Sequence, residues 1–172
     1  DHLRSAALTY PLDEKGVPAG YQRDGIRCQL GTGSGVWERA CQGIRVWAMF
    51  PRQMATLYPA SVPIEVDSTI SVSFRAGPLL TINPARIVEV IDEPTRFGFA
   101  YGTLPGHIES GRELFLVEWD RSDDSVWYSI DVFSRPAFWL IWLGYPYARW
   151  EQARFRRLSA KAMQAYCRES TA

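Results

Sequence analysis

Apolar and polar positions alternate most cleanly in the middle of the chain. From Thr69 to Arg75, Ile70, Val72 and Phe74 fall on one side and Ser71, Ser73 and Arg75 on the other. That is the period-two pattern of a strand with one buried face. Phe97 to Thr103 repeats it, with bulky Phe97, Phe99 and Tyr101 set between Gly98, Ala100 and Gly102. The small residues leave the second face nearly flat, so something can approach that backbone closely. The same signals predict strands over Tyr21–Leu30, Leu79–Ile82, Arg86–Glu93, Arg112–Trp119 and Val126–Phe133, with Ser122 to Ser125 as a hairpin loop. Two stretches change period. Val36 to Phe50 sets Val36, Trp37, Ala40, Ile44, Trp47 and Ala48 on one helical face, behind Ser34 as N-cap and ahead of Pro51. Ala137 to Cys167 reads as a second helix broken at Gly144 to Pro146. Its apolar side holds Trp150, Phe155, Leu158, Ala162 and Tyr166, and its basic outer side Arg149, Arg154, Arg156, Arg157 and Lys161. Gln53 to Pro63 reads as a linker with a short helical turn.

Strands in succession joined by short turns favour an antiparallel sheet and the α+β class. Such a sheet has one face to cover, and the two amphipathic helices are the available covers. The expectation is a curved antiparallel sheet wrapped round a long C-terminal helix, the helix-grip arrangement, with an internal cavity where the two do not close. Residues 1–20 form an N-terminal arm and residues 21–170 a single domain.

Composition narrows the class. A chain of 172 residues is long enough for one real core. Lys+Arg and Asp+Glu both number 19, so the net charge is zero. A general nucleic-acid binder, which gains affinity by neutralising phosphates, is therefore not expected. Cys28, Cys41 and Cys167 are odd in number and show no metal or redox spacing. They read as reduced thiols of a cytoplasmic protein. No signal-peptide pattern is visible from Asp1 to Arg4, and the apolar run from Ala137 to Leu143 is too short for stable membrane insertion.

Several strings carry a family resemblance. They are Leu8-Thr9-Tyr10-Pro11, GTGSGVWERA from Gly31 to Ala40, Asp92-Glu93-Pro94, FAYGTLPGHIESG from Phe99 to Gly111 (the first two residues being Phe99 and Ala100), and FSRPA from Phe133 to Ala137. With Val117-Glu118, Val126-Trp127 and Leu143-Gly144-Tyr145-Pro146, these anchors run from about residue 8 to 165. The chain resembles the "domain of unknown function nineteen-ninety" family of bacteria and plants, which implies no assigned activity. By element order that layout is similar to the helix-grip superfamily of birch-pollen allergen, START domains and polyketide cyclases, although fold does not fix function. One departure is Arg112, at a position where the family often carries an acid.

Candidate chemistry gathers on the turn after Gly102. His107, Glu109 and Glu113 arrive close together among Pro105, Gly106 and Gly111. A histidine beside carboxylates can move protons near neutral pH. The bland alternative is that His107 caps the turn and Glu113 pairs with an arginine across the hairpin. Tyr101 joins His107, Glu109 and Glu113 as the catalytic set. Thr103, Glu118, Tyr128, Ser134 and Arg135, with Asp131 nearby, are the ligand-binding candidates if they face the cavity. Arg135 can clamp a carboxylate or enolate in two-pronged fashion, or it can pair with Glu118 or Glu109 to hold the start of the helix. Gly31-x-Gly33-x-Gly35 has glycines too closely spaced for a dinucleotide fingerprint and reads as a turn and helix cap. No cofactor and no metal are expected.

The leading functional expectation is a protein that takes a hydrophobic or aromatic small molecule into the cavity. It then performs cofactor-free acid-base chemistry on it: cyclisation, isomerisation or dehydration. His107 with Glu109 or Glu113 would move the proton, and Tyr101 and Arg135 would hold developing negative charge. The alternatives are a non-catalytic binding or carrier module, and a structural domain whose Trp139–Trp142 surface meets another chain, a homodimer partner included.

Overall fold

The computed structural model describes residues 3–11, 16–76, 79–137 and 145–169. Among the described residues, seven strands and two helices follow one another as β1 (Gln22–Thr32), α1 (Ser34–Arg45), β2 (Ala55–Tyr58), β3 (Thr69–Ala76), β4 (Leu79–Glu93), β5 (Arg96–Thr103), β6 (Glu109–Asp120), β7 (Ser125–Pro136) and α2 (Tyr145–Glu169). The strands form one antiparallel sheet in the order β1-β7-β6-β5-β4-β3-β2. From β2 to β7 every neighbour is the next strand in sequence. Only β1 is added from afar, pairing with β7 from Gln22 opposite Ser134 to Thr32 opposite Ser125. The architecture is the expected α+β helix-grip.

Alternation decides the two faces. Phe97, Phe99, Phe115, Val117, Val126, Tyr128 and Ile130 point into the curve and are almost wholly buried. They meet Ile44 of α1 and Met163 of α2, both fully buried, which sit on the sheet from the other side. An aromatic cluster links sheet to helix: Phe99 stacks on Phe115 at 5.5 Å, Phe50 lies 5.6 Å from Phe115, and Phe155 of α2 lies 5.8 Å from Phe50 and 5.1 Å from Phe74.

Two glycines let neighbouring strands approach closely. A β-carbon at Gly98 would stand 2.1 Å from the carbonyl oxygen of Phe115, and one at Gly111 would stand 2.0 Å from that of Phe133. The backbone of the neighbouring strand occupies the room that any side chain would need. The flat outer face of β5 is also explained: at Gly102 the space is filled by the ring of Tyr10 and the side chain of Leu8, from the N-terminal arm.

Several expected boundaries change. Ser34 is the first helical residue, not the cap; Gly33 is the N-cap, and no side-chain hydrogen bond closes it. The first helix stops at Arg45 instead of running to Phe50. Trp47 takes a left-handed backbone (φ 59°), and its indole N–H donates to the carbonyl of Val62 at 3.0 Å. That turn drops Met49 and Phe50 into the core. The supposed linker contains edge strand β2, whose buried Ala55 and Leu57 alternate with exposed Thr56 and Tyr58 over only four residues. Leu79–Ile82 and Arg86–Glu93 are one strand running through Pro84. Its carbonyl accepts from Leu104 N–H at 3.0 Å, so its backbone looks toward β5, which has already ended at Thr103. The missing N–H therefore breaks no ladder bond.

The helix α2 begins at Tyr145 with Pro146 in its first turn, where proline needs no donor. Its basic side is not simply solvated: Arg156 is only 9% exposed, and Trp150, expected inside, is 52% exposed. The Trp139–Trp142 surface and Gly144 lie outside the described residues. Among the described residues, no helix is long and apolar enough to cross a membrane.

Candidate functional site

Between the sheet and the first half of α2 lies a cavity of about 420 Å³. Phe50, Val72, Phe74, Ala85, Val132 and Phe155 supply most of its wall. The polar side is built by β5, β6 and β7. Tyr101 and Glu113 are direct cross-strand partners, and the Tyr101 hydroxyl donates to Glu113 Oε2. Glu109 stands four residues earlier on the same face of β6, and Ser134 on the inward face of β7. Gly111 between the two acids lets the strands close up, because Thr103 Oγ1 both donates to its carbonyl at 3.1 Å and accepts from its N–H at 2.9 Å.

The turn that delivers His107 is tightly determined. Gly106 takes φ 95°, a left-handed conformation that glycine adopts freely. The His107 N–H donates to the Leu104 carbonyl at 3.1 Å, and the Glu109 N–H donates to His107 Nδ1 at 2.9 Å. The neutral ring therefore carries its proton on Nε2. Burial pushes its pKa down to about 4. At neutral pH it is an uncharged donor.

The carboxyls respond to the same surroundings in the opposite sense. Burial pushes Glu113 up to about 7, and the bond from Tyr101 opposes this. Burial likewise raises Glu109, opposed by bonds from Gln152 Nε2 and the Ser134 hydroxyl. Burial also holds the Tyr101 phenol protonated, well above its ordinary range. These groups touch cavity space and are not fully inaccessible, yet protein surrounds each on its other sides.

Helix α2 closes the cavity. Arg149 and Arg156 both reach Asp24 of β1, at 2.8 Å and 3.5 Å. Glu151 accepts from the Tyr147 hydroxyl at 3.0 Å and from Arg154 at 3.2 Å. Asn83 of β4 gives its amide N–H to the Val72 carbonyl at 3.2 Å and to Thr81 Oγ1 at 3.0 Å. Its Oδ1 is buried with no partner among the described residues.

The cavity thus brings together Tyr101, His107, Glu109, Glu113 and Ser134. The other expected ligand-binding residues lie elsewhere. Thr103 is committed to Gly111 and to Thr9, whose hydroxyl is 2.5 Å away. Tyr128 is fully buried in the core with its hydroxyl 2.7 Å from Ser159 Oγ. Glu118 pairs with Arg96 at 3.6 Å, at the far end of β6. Arg135 points outward over the ring of Tyr21 at 4.8 Å, and Asp131 binds Arg23 at 2.8 Å. Neither of the pairings considered for Arg135 forms among the described contacts, and Glu113 takes a tyrosine instead of an arginine. Asn83, Glu151, Gln152 and Arg156 were missed. Gln152 sits on the stripe Ala148, Gln152, Phe155, Ser159 and Met163, whose three- and four-residue steps were the available signal, and Glu151 and Arg156 lie next to members of that stripe in sequence.

A second cleft, of about 290 Å³, lies between α1 and the β4–β5 turn. Arg45 covers the Phe97 ring there at 4.1 Å, and burial pushes the Cys41 thiol up to about 12, which keeps it protonated at neutral pH. Among the described residues no three His, Cys, Asp or Glu side chains are grouped to hold a metal ion.

Known proteins resemble this chain in both sequence and shape. A UPF0548 protein of Dictyostelium discoideum is 32% identical over 157 residues, covering 85% of this chain and 72% of that one. A UPF0548 protein of Arabidopsis thaliana is 31% identical over 150 residues, covering 84% and 72%. Among solved structures, a hypothetical protein of Helicobacter pylori superposes with a TM-score of 0.62 at 10% identity, covering 94% of this chain and 96% of that one. Ara h 8.0201 superposes with a TM-score of 0.51 at 11% identity, covering 86% and 98%. At such identities the solved structures share the fold alone. A family model described as Domain of unknown function (DUF1990) matches residues 5–162. With nearly the whole sequence inside that match, the chain belongs to the DUF1990 family.

Proposed function

We propose that this protein binds a small, largely apolar molecule in the cavity between sheet and α2, with the molecule's polar end at Tyr101, Glu109 and Glu113. The observation that carries the reading is the cavity itself. About 420 Å³ is left open beneath aromatic and aliphatic walls, with a few polar groups converging at one side. That is the usual composition of a small-molecule site. Native mass spectrometry of the protein purified from its own host tests it, with Ala148→Trp as the control. Ala148 lines the cavity from the helix, so an indole there fills the space without entering the main core. A co-purified mass that disappears in Ala148→Trp is expected. The proposal fails if the wild type retains nothing and binds no apolar probe better than the variant.

A second reading adds cofactor-free acid-base chemistry such as cyclisation, isomerisation or dehydration. One observation favours it: Glu113 sits at about 7, near the pH at which a group both takes and gives protons efficiently. In this reading Glu113, bonded to the Tyr101 hydroxyl, moves the proton, and the neutral His107 Nε2–H serves as donor. Arg135, which faces outward, has no part. Conversion of a bound molecule that stops in Glu113→Gln while binding persists is the expected result. Equal conversion in that variant removes the catalytic reading and leaves a carrier.

A further inference from the structure

We propose that the molecule taken by this cavity carries a cationic amine at its polar end, seated between the carboxyl groups of Glu109 and Glu113. The inference rests on the binding reading above. It comes from which charges in the cavity wall are already matched. Asp24 is matched by Arg149 and Arg156, and Glu151 by Arg154. Glu109 and Glu113 are different. Their hydrogen-bond donors are neutral: Gln152 and Ser134 for the first, Tyr101 for the second. Arg149 and Arg156 bring positive charge toward Glu109, and Arg156 toward Glu113, but both guanidiniums are directed to Asp24. His107 is uncharged at neutral pH and so adds none.

A carboxylate kept from water needs a countercharge or it takes up a proton. The raised pKa values of both acids are that second response. An ammonium group removes the need for it. It brings the missing charge and three N–H donors to oxygens that each accept more than one bond. Asn83 supports the same polarity independently. Its N–H is held by the Val72 carbonyl, which only accepts, so the amide cannot be turned round. Asn83 lines the same cavity and is 6% exposed, and its Oδ1 is a buried acceptor with no partner among the described residues. Among the described residues this cavity therefore offers acceptors to a donor-rich head, with His107 Nε2–H as a donor in the same lining. Phe50, Phe74 and Phe155 present aromatic surface that suits an apolar body and tolerates a nearby cation. A carboxylate-headed ligand would bring a third negative charge to the same end.

Three probes with one body and different heads test this: tryptamine, tryptophol and indole-3-acetate, titrated calorimetrically at pH 7. Tryptamine is expected to bind at least tenfold tighter than tryptophol, and indole-3-acetate weakest. In Glu109→Gln/Glu113→Gln, tryptamine should fall to the level of tryptophol, with an unchanged circular-dichroism spectrum certifying the fold. Equal or tighter binding of tryptophol or indole-3-acetate by the wild type overturns the amine assignment and leaves the cavity as a binding site. If no indole binds, the molecule released from host-purified protein decides. An amine sustains the assignment, and an uncharged or acidic head overturns it. If nothing is released either, the binding reading falls and this inference with it.

Discussion

Glu113 and His107 face one cavity, and the same loss of water drives their pKa values in opposite directions, to about 7 and about 4. Each shift is a statement about stability. Glu113 ionises near 4.5 in the unfolded chain and near 7 when folded, so the folded state loses stability as pH rises between those values. The full loss is at most about 3 kcal/mol, and less where cavity water reaches the carboxyl. His107 works the other way. Its unfolded form gains a proton near 6.5 and its folded form only near 4, so stability is lost as pH falls through that window. Between pH 4.5 and 6.5 the two slopes oppose each other. Glu113→Gln should therefore gain on the wild type steadily from pH 4.5 to 7 and hold a constant lead above. His107→Asn should gain on the wild type as pH falls from 6.5 toward 4. Urea denaturation at half-unit steps of pH measures both differences. A Glu113→Gln difference that does not change between pH 4.5 and 7 means that the carboxyl titrates as it does in water.

Gly98 and Gly111 let the backbones of β5, β6 and β7 approach closely. Alanine at either position needs room occupied by a neighbouring carbonyl oxygen at 2.1 Å or 2.0 Å. Main chain cannot rotate aside as a side chain can, so each substitution should cost about 2–3 kcal/mol or more. Gly102→Ala meets instead the Tyr10 ring and Leu8, which belong to the arm and can lift away. Its cost should be visibly smaller by the same denaturation measurement, and equal costs at all three sites would contradict this account. The alternation in β3 was legible because apolar residues alternate with polar ones, and that in β5, buried on both faces, because bulky residues alternate with small ones. In β2 four residues were too few to show a period, and at Pro84 a local rule about proline missed that the partner strand had stopped. The glycine at the helix start looked weaker than Ser34 as a cap, yet the backbone places Gly33 there.

At the scale of the whole molecule, the site was legible where it rides on strand alternation and illegible where it depends on packing between distant elements. Tyr101, Glu109 and Glu113 share the inward face of their strands with Phe99 and Phe115. The same alternation carries Arg135 and Glu118 outward, so those two could have been excluded from the register alone. Asn83 and Gln152 enter only because β4 and α2 meet across the cavity. The arm is a further long-range part of the same construction. Thr9 N–H donates to the Thr103 carbonyl at 3.0 Å, and Ser110 Oγ donates to the Thr9 carbonyl at 2.7 Å. The arm thus ties together the two strands that flank the His107 turn. Tyr10 packs edge-on to Phe133 at 5.5 Å and is 6% exposed. Removing residues 1–11 deletes that ring and those bonds, which together contribute about 3–5 kcal/mol. The truncated chain should melt earlier and lose amide-exchange protection from Leu104 to Ser110. Tyr10→Phe should retain full stability or exceed it, because the hydroxyl is buried without a partner among the described residues. If the truncated chain keeps both its melting point and its protection in that turn, the arm is a passive cover, and the position of His107 is set by β5 and β6 alone.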